Sequence, residues 1–194
     1  MNNPFRIGER AYLRPIDAED APFLQRWVND PDVNRYLGSY LPVNGARERD
    51  WVDGLYKEPD DVVLLIALKE GDRPIGCCGL HQKRHDRPAR SAELGILIGE
   101  KDCQDRGYGG EAMRLLCEYG FNRLNLHRIG LRVYDYNRRA IRCYEKVGFL
   151  VEGMLRDGHR ADGEWHDVVM MGLLEHEFRA DGLKAAALCQ RNAI

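Results

Sequence analysis

The sequence lacks the features that mark membrane, nucleic-acid and metal proteins. No apolar run approaches the ~20 residues that span a bilayer, and the first residues do not form a signal peptide. The formal net charge is only −2 at pH 7, so there is no basic surface of the kind that binds nucleic acid. The six cysteines contain no Cys-x-x-Cys pair, and the six histidines have no metal-ligand spacing. These absences favour a cytoplasmic protein with reduced cysteines and no metal, nucleic-acid or membrane partner.

The chain of 194 residues is expected to form one domain over residues 1–178, followed by a tail, residues 179–194, that is either helical or disordered. Apolar runs predict strands over residues 11–14, 62–68, 74–80, 92–98, 129–133, 149–155 and 166–174. Helices are predicted after the caps Asp17 and Asn44, over residues 111–124, and from Asn137 to Gly148. This order of elements predicts a mixed α/β domain.

A glycine-rich segment joins the predicted strand at residues 92–98 to the next helix. It runs Gln104-Asp105-Arg106-Gly107-Tyr108-Gly109-Gly110. Gly107 and Gly109 are expected to adopt positive φ and to let an anion approach, while the helix that follows supplies free N–H groups. The segment therefore predicts a phosphate site, with a plain connection as the alternative. The absence of a Gly-x-Gly-x-x-Gly after the first strand and of a Gly-Lys-Ser/Thr argues against dinucleotide and Walker-type sites.

A second motif follows the next predicted strand, and its pattern is Asn137-x-x-Ala140-x-x-x-Tyr144-x-x-x-Gly148-Phe149. Together with the glycine-rich segment it resembles the GNAT superfamily of acetyl-coenzyme A-dependent N-acetyltransferases. The resemblance covers residues 11–178 and is strongest over residues 92–153. It is closest to the branch that holds bacterial ribosomal-protein N-terminal acetyltransferases and spermidine N-acetyltransferases.

The resemblance implies both a fold and a cofactor site. The fold would be a single GNAT domain: a mixed, mostly antiparallel sheet with a central splayed parallel strand pair, flanked by helices. Acetyl-CoA would be the co-substrate, paired along the splayed strand as if it were an added strand, with an N–H near Leu97 facing the oxyanion. The implied cofactor-binding residues are Ile96, Leu97, Ile98, Gln104, Asp105, Arg106, Gly107, Tyr108, Gly109, Gly110, Asn137, Arg139, Ala140 and Tyr144.

Tyr144 carries the most specific role that the resemblance implies. It lies two helical turns after Asn137, on the same face as Ala140. In the family this tyrosine points at the cofactor sulfur, so Tyr144 would protonate the leaving thiolate as a general acid. A core tyrosine packed under the sheet is the alternative. The neighbouring Cys143 is interpreted as a packing residue rather than a nucleophile.

The base that deprotonates the acceptor amine is less clearly marked. Glu93 is the only acidic residue in the predicted strand at residues 92–98, so it is a candidate to act directly or through water. A salt bridge between Glu93 and a neighbouring arginine is an equal alternative. Asp135, His81 and His85 are weaker candidates.

The expected activity is direct acetyl transfer to a primary amine of a small molecule or a protein N-terminus. The polyamine-acetylating relatives place acidic residues between their first two helices, whereas residues 34–44 contain no carboxylate here. This difference makes a polyamine the alternative substrate and favours a partly apolar amine. A catalytically idle domain that binds acyl-CoA as a sensor or scaffold is the alternative function. A homo-oligomer, with a dimer first, is also expected.

Overall fold

The computed structural model describes residues 1–38, 41–55, 57, 61–82 and 88–179. Its strands are β1 (Arg6–Ile7), β2 (Ala11–Pro15), β3 (Val62–Leu68), β4 (Pro74–His81), β5 (Ser91–Ile98), β6 (Arg128–Tyr134), β7 (Leu150–Ala161) and β8 (Glu164–Leu174). Its helices are α1 (Ala21–Asn29), α2 (Pro31–Asn34), α3 (Gly45–Gly54), α4 (Tyr108–Asn122) and α5 (Arg138–Val147). The eight strands form one sheet in the order β1-β2-β3-β4-β5-β6-β8-β7. The predicted mixed α/β class is confirmed.

Among the described strands, one neighbouring pair is parallel, and this pair separates part-way along its length. β5 pairs with β6 from Ser91↔Arg128 to Glu93↔Gly130. Beyond Glu93, β5 continues along β4, whereas β6 continues along β8. A gap therefore opens between two central strands, and backbone groups on its edges lack a ladder partner. The splayed parallel pair expected from the resemblance is confirmed.

The two faces of the sheet carry separate cores because successive side chains of a strand point to opposite faces. Leu94 and Ile96 of β5 pack in the larger core, against α4 and α5. Leu97 packs against the smaller core, which α1 and α3 cover. Glu93 and Gly95 alternate with Leu94 and Ile96, so they belong to the face of Leu97. This places Glu93 on the α1 side of the gap.

Local signals set several helix ends as predicted. The side chain of Asn44 accepts a hydrogen bond from the backbone N–H of Arg47 at 2.9 Å, which caps α3. Asn137 caps α5 in the same way, through the N–H of Ala140 at 3.2 Å. Gly148 ends α5 with a φ of 115°, in the left-handed region that glycine adopts without strain. None of the described helices combines the length and hydropathy needed to cross a membrane.

Other predicted boundaries are wrong for physical reasons. Asp17 precedes a short 3-10 turn, Ala18–Asp20, and α1 starts only at Ala21. α4 begins at Tyr108, within the glycine-rich segment, and ends at Asn122, two residues before the predicted position 124. β7 extends further than predicted through mostly polar residues, and β8 begins two residues earlier, at Glu164 and the exposed Trp165. β1 and α2 were not predicted. The tail lies outside the described residues from position 180 onward, and residues 175–179 are helical.

A buried ion pair joins β2 to the start of α1. Arg14 donates hydrogen bonds to both carboxylate oxygens of Asp20, each at 2.7 Å, and the two residues are only 6% and 4% exposed. The hydrogen bond to Asp20 raises the pKa of the Arg14 guanidinium. The backbone N–H of Asp17 also donates to the Asp20 carboxylate at 2.9 Å. Asp20 therefore fixes the path of the chain into the α1 face of the sheet.

Candidate active site

A cavity of about 950 Å³ opens at the gap between β5 and β6. Its walls come from β5, the glycine-rich segment, α4, α5 and β6, and it extends to the turn after α2 and to the β7–β8 hairpin. The predicted site residues that line it are Glu93, Ile96, Leu97, Ile98, Gln104, Asp105, Gly107, Gly109, Gly110, Asn137, Arg139, Ala140 and Tyr144. Arg106 and Tyr108 are not among its described lining residues. The fold thus brings most of the predicted residues to one cavity.

The glycine-rich segment forms one end of this cavity. Gly107 is the N-cap of α4 and has a φ of 84°. Since this cap has no side chain, the first N–H groups of α4 have no capping partner on it. Gly109 lies inside the first turn of α4 and its φ is not positive, so the expected positive φ at Gly109 is wrong. A Cβ on Gly109 would meet Ile98 Cγ1 at 3.6 Å, an ordinary contact, so packing alone does not demand glycine there.

Arg139 and Gln104 lie at the same end of the cavity. Arg139 donates to the side-chain oxygen of Gln104 at 2.7 Å and lies 3.5 Å from the Asp105 carboxylate. Gln104 in turn donates to the carbonyl oxygen of Ile98 at 2.9 Å, which connects Arg139 to the end of β5. Gln104 therefore positions a guanidinium beside the N-terminus of α4. Such a combination of N–H groups and positive charge suits a phosphate.

The two predicted residues that do not line the cavity, Arg106 and Tyr108, are contacted by one arginine. Arg10 donates to the carbonyl oxygen of Arg106 at 3.0 Å. Its guanidinium also lies over the ring of Tyr108, 4.7 Å from the centroid. Arg106 lies in the turn before α4, and Tyr108 is the first residue of α4.

Tyr144 lines the cavity from α5 and packs edge-on against Phe149, with ring centroids 6.2 Å apart. Desolvation by burial raises the pKa of the Tyr144 phenol to about 12. The phenol therefore keeps its proton at neutral pH and can donate it. Burial also raises the pKa of the neighbouring Cys143 thiol, which makes that cysteine a poor nucleophile.

Glu93 lines the cavity from the face of β5 opposite Leu94. Its carboxylate accepts a hydrogen bond from the Arg132 guanidinium at 3.0 Å, so the salt-bridge alternative is what the structure contains. His81 is the cross-strand partner of Glu93 on β4. The Nδ1 atom of His81 lies 2.9 Å from a carboxylate oxygen of Asp61, and His81 also lines the cavity. Two carboxylate-containing pairs thus lie side by side on the α1 face.

The two remaining candidate bases are Asp135 and His85. Asp135 is not one of its described lining residues, and its carboxylate lies 3.7 Å from His166. His85 lies outside the described residues. Within the described chain, no group of histidine, cysteine or acidic residues is arranged to hold a metal ion, and the expectation of no metal stays a prediction.

The end of the cavity beyond Glu93 is aromatic and apolar. The rings of Tyr134 and His159 stack with centroids 3.8 Å apart, and Tyr134 stacks on Tyr136 at 5.5 Å. Tyr36 extends this group, 5.9 Å from Tyr136. The residues of this end that line the cavity are Val33, Tyr36, Leu37, Tyr134, Leu155, His159 and Val168. Tyr36 and Leu37 belong to residues 34–44, the segment from which the sequence predicts a partly apolar amine, whereas the rings that β6 and β7 add were not predicted.

Comparison with known proteins identifies the fold that carries this cavity. Residues 10–150 match the acetyltransferase (GNAT) domain. The chain belongs to the GNAT acetyltransferase family. A spermidine N(1)-acetyltransferase of Vibrio cholerae is 35% identical over 175 residues, which cover 89% of this chain and 97% of that relative. A putative ribosomal N-acetyltransferase of Bacillus subtilis is 34% identical over 181 residues, which cover 91% and 97%.

A solved GNAT structure shares the architecture. The structure of spermidine N-acetyltransferase from Vibrio cholerae in complex with CoA and spermine superposes with a TM-score of 0.78 at 24% identity, over 87% of this chain and 98% of that one. The relatives of this chain include a spermidine acetyltransferase and a putative ribosomal acetyltransferase, the two branches that the sequence resembles. The chain is therefore an acetyl-CoA-dependent N-acetyltransferase of the GNAT family.

Proposed function

We propose that this GNAT protein moves the acetyl group of acetyl-CoA directly to a primary amine, on a small molecule or a protein N-terminus, with Tyr144 as the general acid. One observation carries the proposal. The Tyr144 phenol, which burial keeps protonated, lines the same cavity as the Gly107 turn and the unpaired edge of β5. Acyl transfer from CoA requires a phosphate site, an edge for the pantetheine amides and a proton donor, and this cavity offers all three.

Each wall of the cavity has a part in holding acetyl-CoA. The turn from Asp105 to Gly110 would bind the pyrophosphate through backbone N–H groups, with Arg139 supplying charge. The main chain of residues 96–98 would pair with the pantetheine amides as an added strand. Asn137 would both cap α5 and bind the pantetheine arm, and the small side chain of Ala140 leaves room for it.

The residues around the thioester would act in sequence. The amine nitrogen forms a bond to the thioester carbonyl carbon, and the backbone N–H of Leu97 stabilises the oxyanion. When the carbon–sulfur bond breaks, Tyr144 gives its proton to the sulfur. Glu93, paired with Arg132, would bind the incoming ammonium group.

The cavity favours an acceptor of low charge with an apolar substituent. Its charged lining residues within the described chain are Glu93, Asp105, Arg114, Arg132, Arg139, Arg142 and Lys146, so positive groups outnumber negative ones. Arg139 lies at the phosphate end, whereas Glu93, the lining carboxylate on the α1 face, is already paired with Arg132, so a polycation would find little free negative charge there. An amine with an aromatic or branched apolar substituent would instead pack against Tyr36 and Tyr134. The similarity to spermidine acetyltransferases keeps a polyamine as the alternative acceptor.

A panel of amines assayed by thiol release tests this acceptor class. We expect kcat/KM for phenethylamine or a peptide with N-terminal phenylalanine to exceed that for spermidine by at least ~10-fold, the scale that apolar pocket contacts supply. Tyr134→Leu, which shortens the aromatic wall, should reduce this preference while acetyl-CoA binding is retained. Spermidine as the best substrate would establish the polyamine alternative. Binding of acetyl-CoA with no turnover of any amine would establish the idle domain.

Gly109→Val tests the phosphate site. A branched side chain in front of the N-terminus of α4 should weaken CoA binding by at least ~1.4 kcal/mol, a factor of about ten. Folding should change little, because the first atom of that side chain has ordinary room. Titration with CoA and with dephospho-CoA should give equal losses, since both ligands keep the pyrophosphate.

Gly54→Val is the matched control, because a Cβ on Gly54 of α3 has no neighbour within 4 Å. It places the same residue in a helix away from the cavity. Wild-type affinity of Gly109→Val for both ligands would mean that the glycines form only a tight turn, and the assignment of the cofactor site would fall.

A further inference from the structure

The Asp61–His81 pair has the geometry of an oriented imidazole base. Nδ1 of His81 lies 2.9 Å from one oxygen of Asp61, and the other oxygen accepts from the backbone N–H of Gln82 at 3.2 Å. A carboxylate held in this way keeps the proton of a neutral imidazole on Nδ1. Nε2 is then left with a lone pair that can accept a proton.

Nε2 of His81 lies above two glycines that are directly opposite each other, Gly79 on β4 and Gly95 on β5. A Cβ on Gly79 would be 3.2 Å from Nε2, and a Cβ on Gly95 would be 3.9 Å from it. Gly95 is two residues after Glu93, which is the last residue of β5 that pairs with β6. The lone pair is therefore at the start of the gap, and His81 is a lining residue of the cavity.

The groups beside the His81 ring differ in how many of their hydrogen-bond acceptor atoms are already used. Asp61, ahead of β3, is hydrogen-bonded to Nδ1. Glu93, the partner of His81 across β4 and β5, accepts from Arg132 of β6. Glu93 can therefore attract an ammonium group with its remaining acceptor capacity, but part of that capacity is occupied. In the part of the chain that the structure describes, no group is hydrogen-bonded to Nε2 of His81, which lies on the same face.

We propose that His81, oriented by Asp61, is the general base that deprotonates the acceptor amine, and that Glu93 with Arg132 positions the ammonium group beside it. This inference rests on the proposed acetyl transfer. Nε2 takes one proton from the ammonium group, and the freed lone pair forms the nitrogen–carbon bond. The carbon–sulfur bond breaks and the sulfur takes the Tyr144 proton. The second nitrogen proton is lost as the amide forms and replaces the proton that Tyr144 gave.

The cycle closes when His81 loses its extra proton to water, which its partly exposed side chain, at 43%, allows. Each acetylated ammonium group then releases one proton in total, as the reaction of an ammonium with a thioester requires. Asp61 touches neither substrate in this scheme and is a positioning residue.

His81→Gln is the first test, with a primary amine that the wild-type protein acetylates. We expect kcat/KM near pH 7 to fall about 100-fold, the loss of one general base, while the Kd for CoA stays unchanged. The wild-type rate should rise with pH as the base loses its proton. In His81→Gln that rise should move toward the pKa of the amine itself. In a second variant, His81→Ala, added imidazole should restore part of the lost rate.

Comparison variants separate the dyad from its neighbours. Asp61→Asn should lower kcat with little change in KM, because it alters the orientation and tautomer of His81. Glu93→Gln should raise KM for the amine and keep the shape of the pH profile. A His81→Gln protein with wild-type kcat/KM and pH profile would overturn the dyad, as would a Glu93→Gln protein that alone loses the pH-dependent rise. A wild-type protein that acetylates no amine would overturn the proposed function, and the dyad with it.

Discussion

Replacing Tyr144 with phenylalanine is expected to lower kcat by roughly 10- to 1000-fold, in line with the loss of one general acid. The affinity for CoA should stay close to that of the wild type, because the substitution removes one oxygen from a ring that packs against Phe149. The physical reason is that the phenol, whose pKa is raised by burial to about 12, carries its proton at neutral pH and lines the cavity in which we propose that the thioester binds. Steady-state kinetics and CoA titration measure the two quantities separately.

Tyr119→Phe is the matched control for this variant. Tyr119 lies on α4, with its ring 5.0 Å from that of Phe5, and it is not among the described residues that line the cavity. Its loss of a hydroxyl should leave kcat unchanged. Single-turnover measurements make the comparison independent of product release. A folded Tyr144→Phe protein with a wild-type single-turnover rate would remove Tyr144 from the mechanism.

Asp20→Ala is expected to produce the largest loss of stability, about 3–5 kcal/mol in the free energy of unfolding. The variant leaves the Arg14 guanidinium in a buried position without the carboxylate that accepts from both of its terminal nitrogens. The carbonyl oxygen of Pro15, at 2.9 Å, would still accept from Nη1, but Nη2 would lose its carboxylate acceptor, and Nε already has no hydrogen-bond partner among the described residues. Urea unfolding followed by circular dichroism measures the change.

Asp17→Ala gives the comparison for that measurement. Asp17 also approaches Arg14, at 3.7 Å, but its side chain is 53% exposed. Its removal should cost no more than about 1 kcal/mol, the usual effect of losing a helix cap. Equal destabilisation by the two variants would show that burial of the Arg14–Asp20 pair is not what makes it important. A double variant, Arg14→Met with Asp20→Leu, should recover much of the stability.

Sequence patterns predicted the elements that depend on local periodicity and capping. The continuous apolar run of β3, the cap Asn137 and the stop at Gly148 each have a physical cause within a few residues, and all are found in the structure. The lengths of β7 and β8 were not predictable in this way. The residues added to β7 are mostly polar and those added to β8 are Glu164 and the exposed Trp165, so no regular alternation of apolar and polar side chains marks them as strands.

In the candidate site, too, features formed by contiguous residues were predictable, and features formed by residues distant in sequence were not. The glycine-rich segment and the Asn137 motif are contiguous, so they could be located before the fold was known. Asp61 and His81 are 20 positions apart and meet only because β3 and β4 form a hairpin. The stack of Tyr134 on His159 likewise needs β6, β8 and β7 to be neighbours. Pairs of this kind carry no signal in a single sequence.

The gap in the sheet also makes the stability of the folded chain depend on the concentration of the ligand that fills it. Only the pairs from Ser91 to Glu93 join β5 to β6, so a ligand that pairs along the open edges would bind the folded state and not the unfolded chain. Such a ligand raises the free energy of unfolding, by about 2.7 kcal/mol at a concentration of 100 times its Kd. The resistance of the enzyme to proteolysis would then rise and fall with the supply of coenzyme A, so a cell starved of it would hold less enzyme as well as less co-substrate.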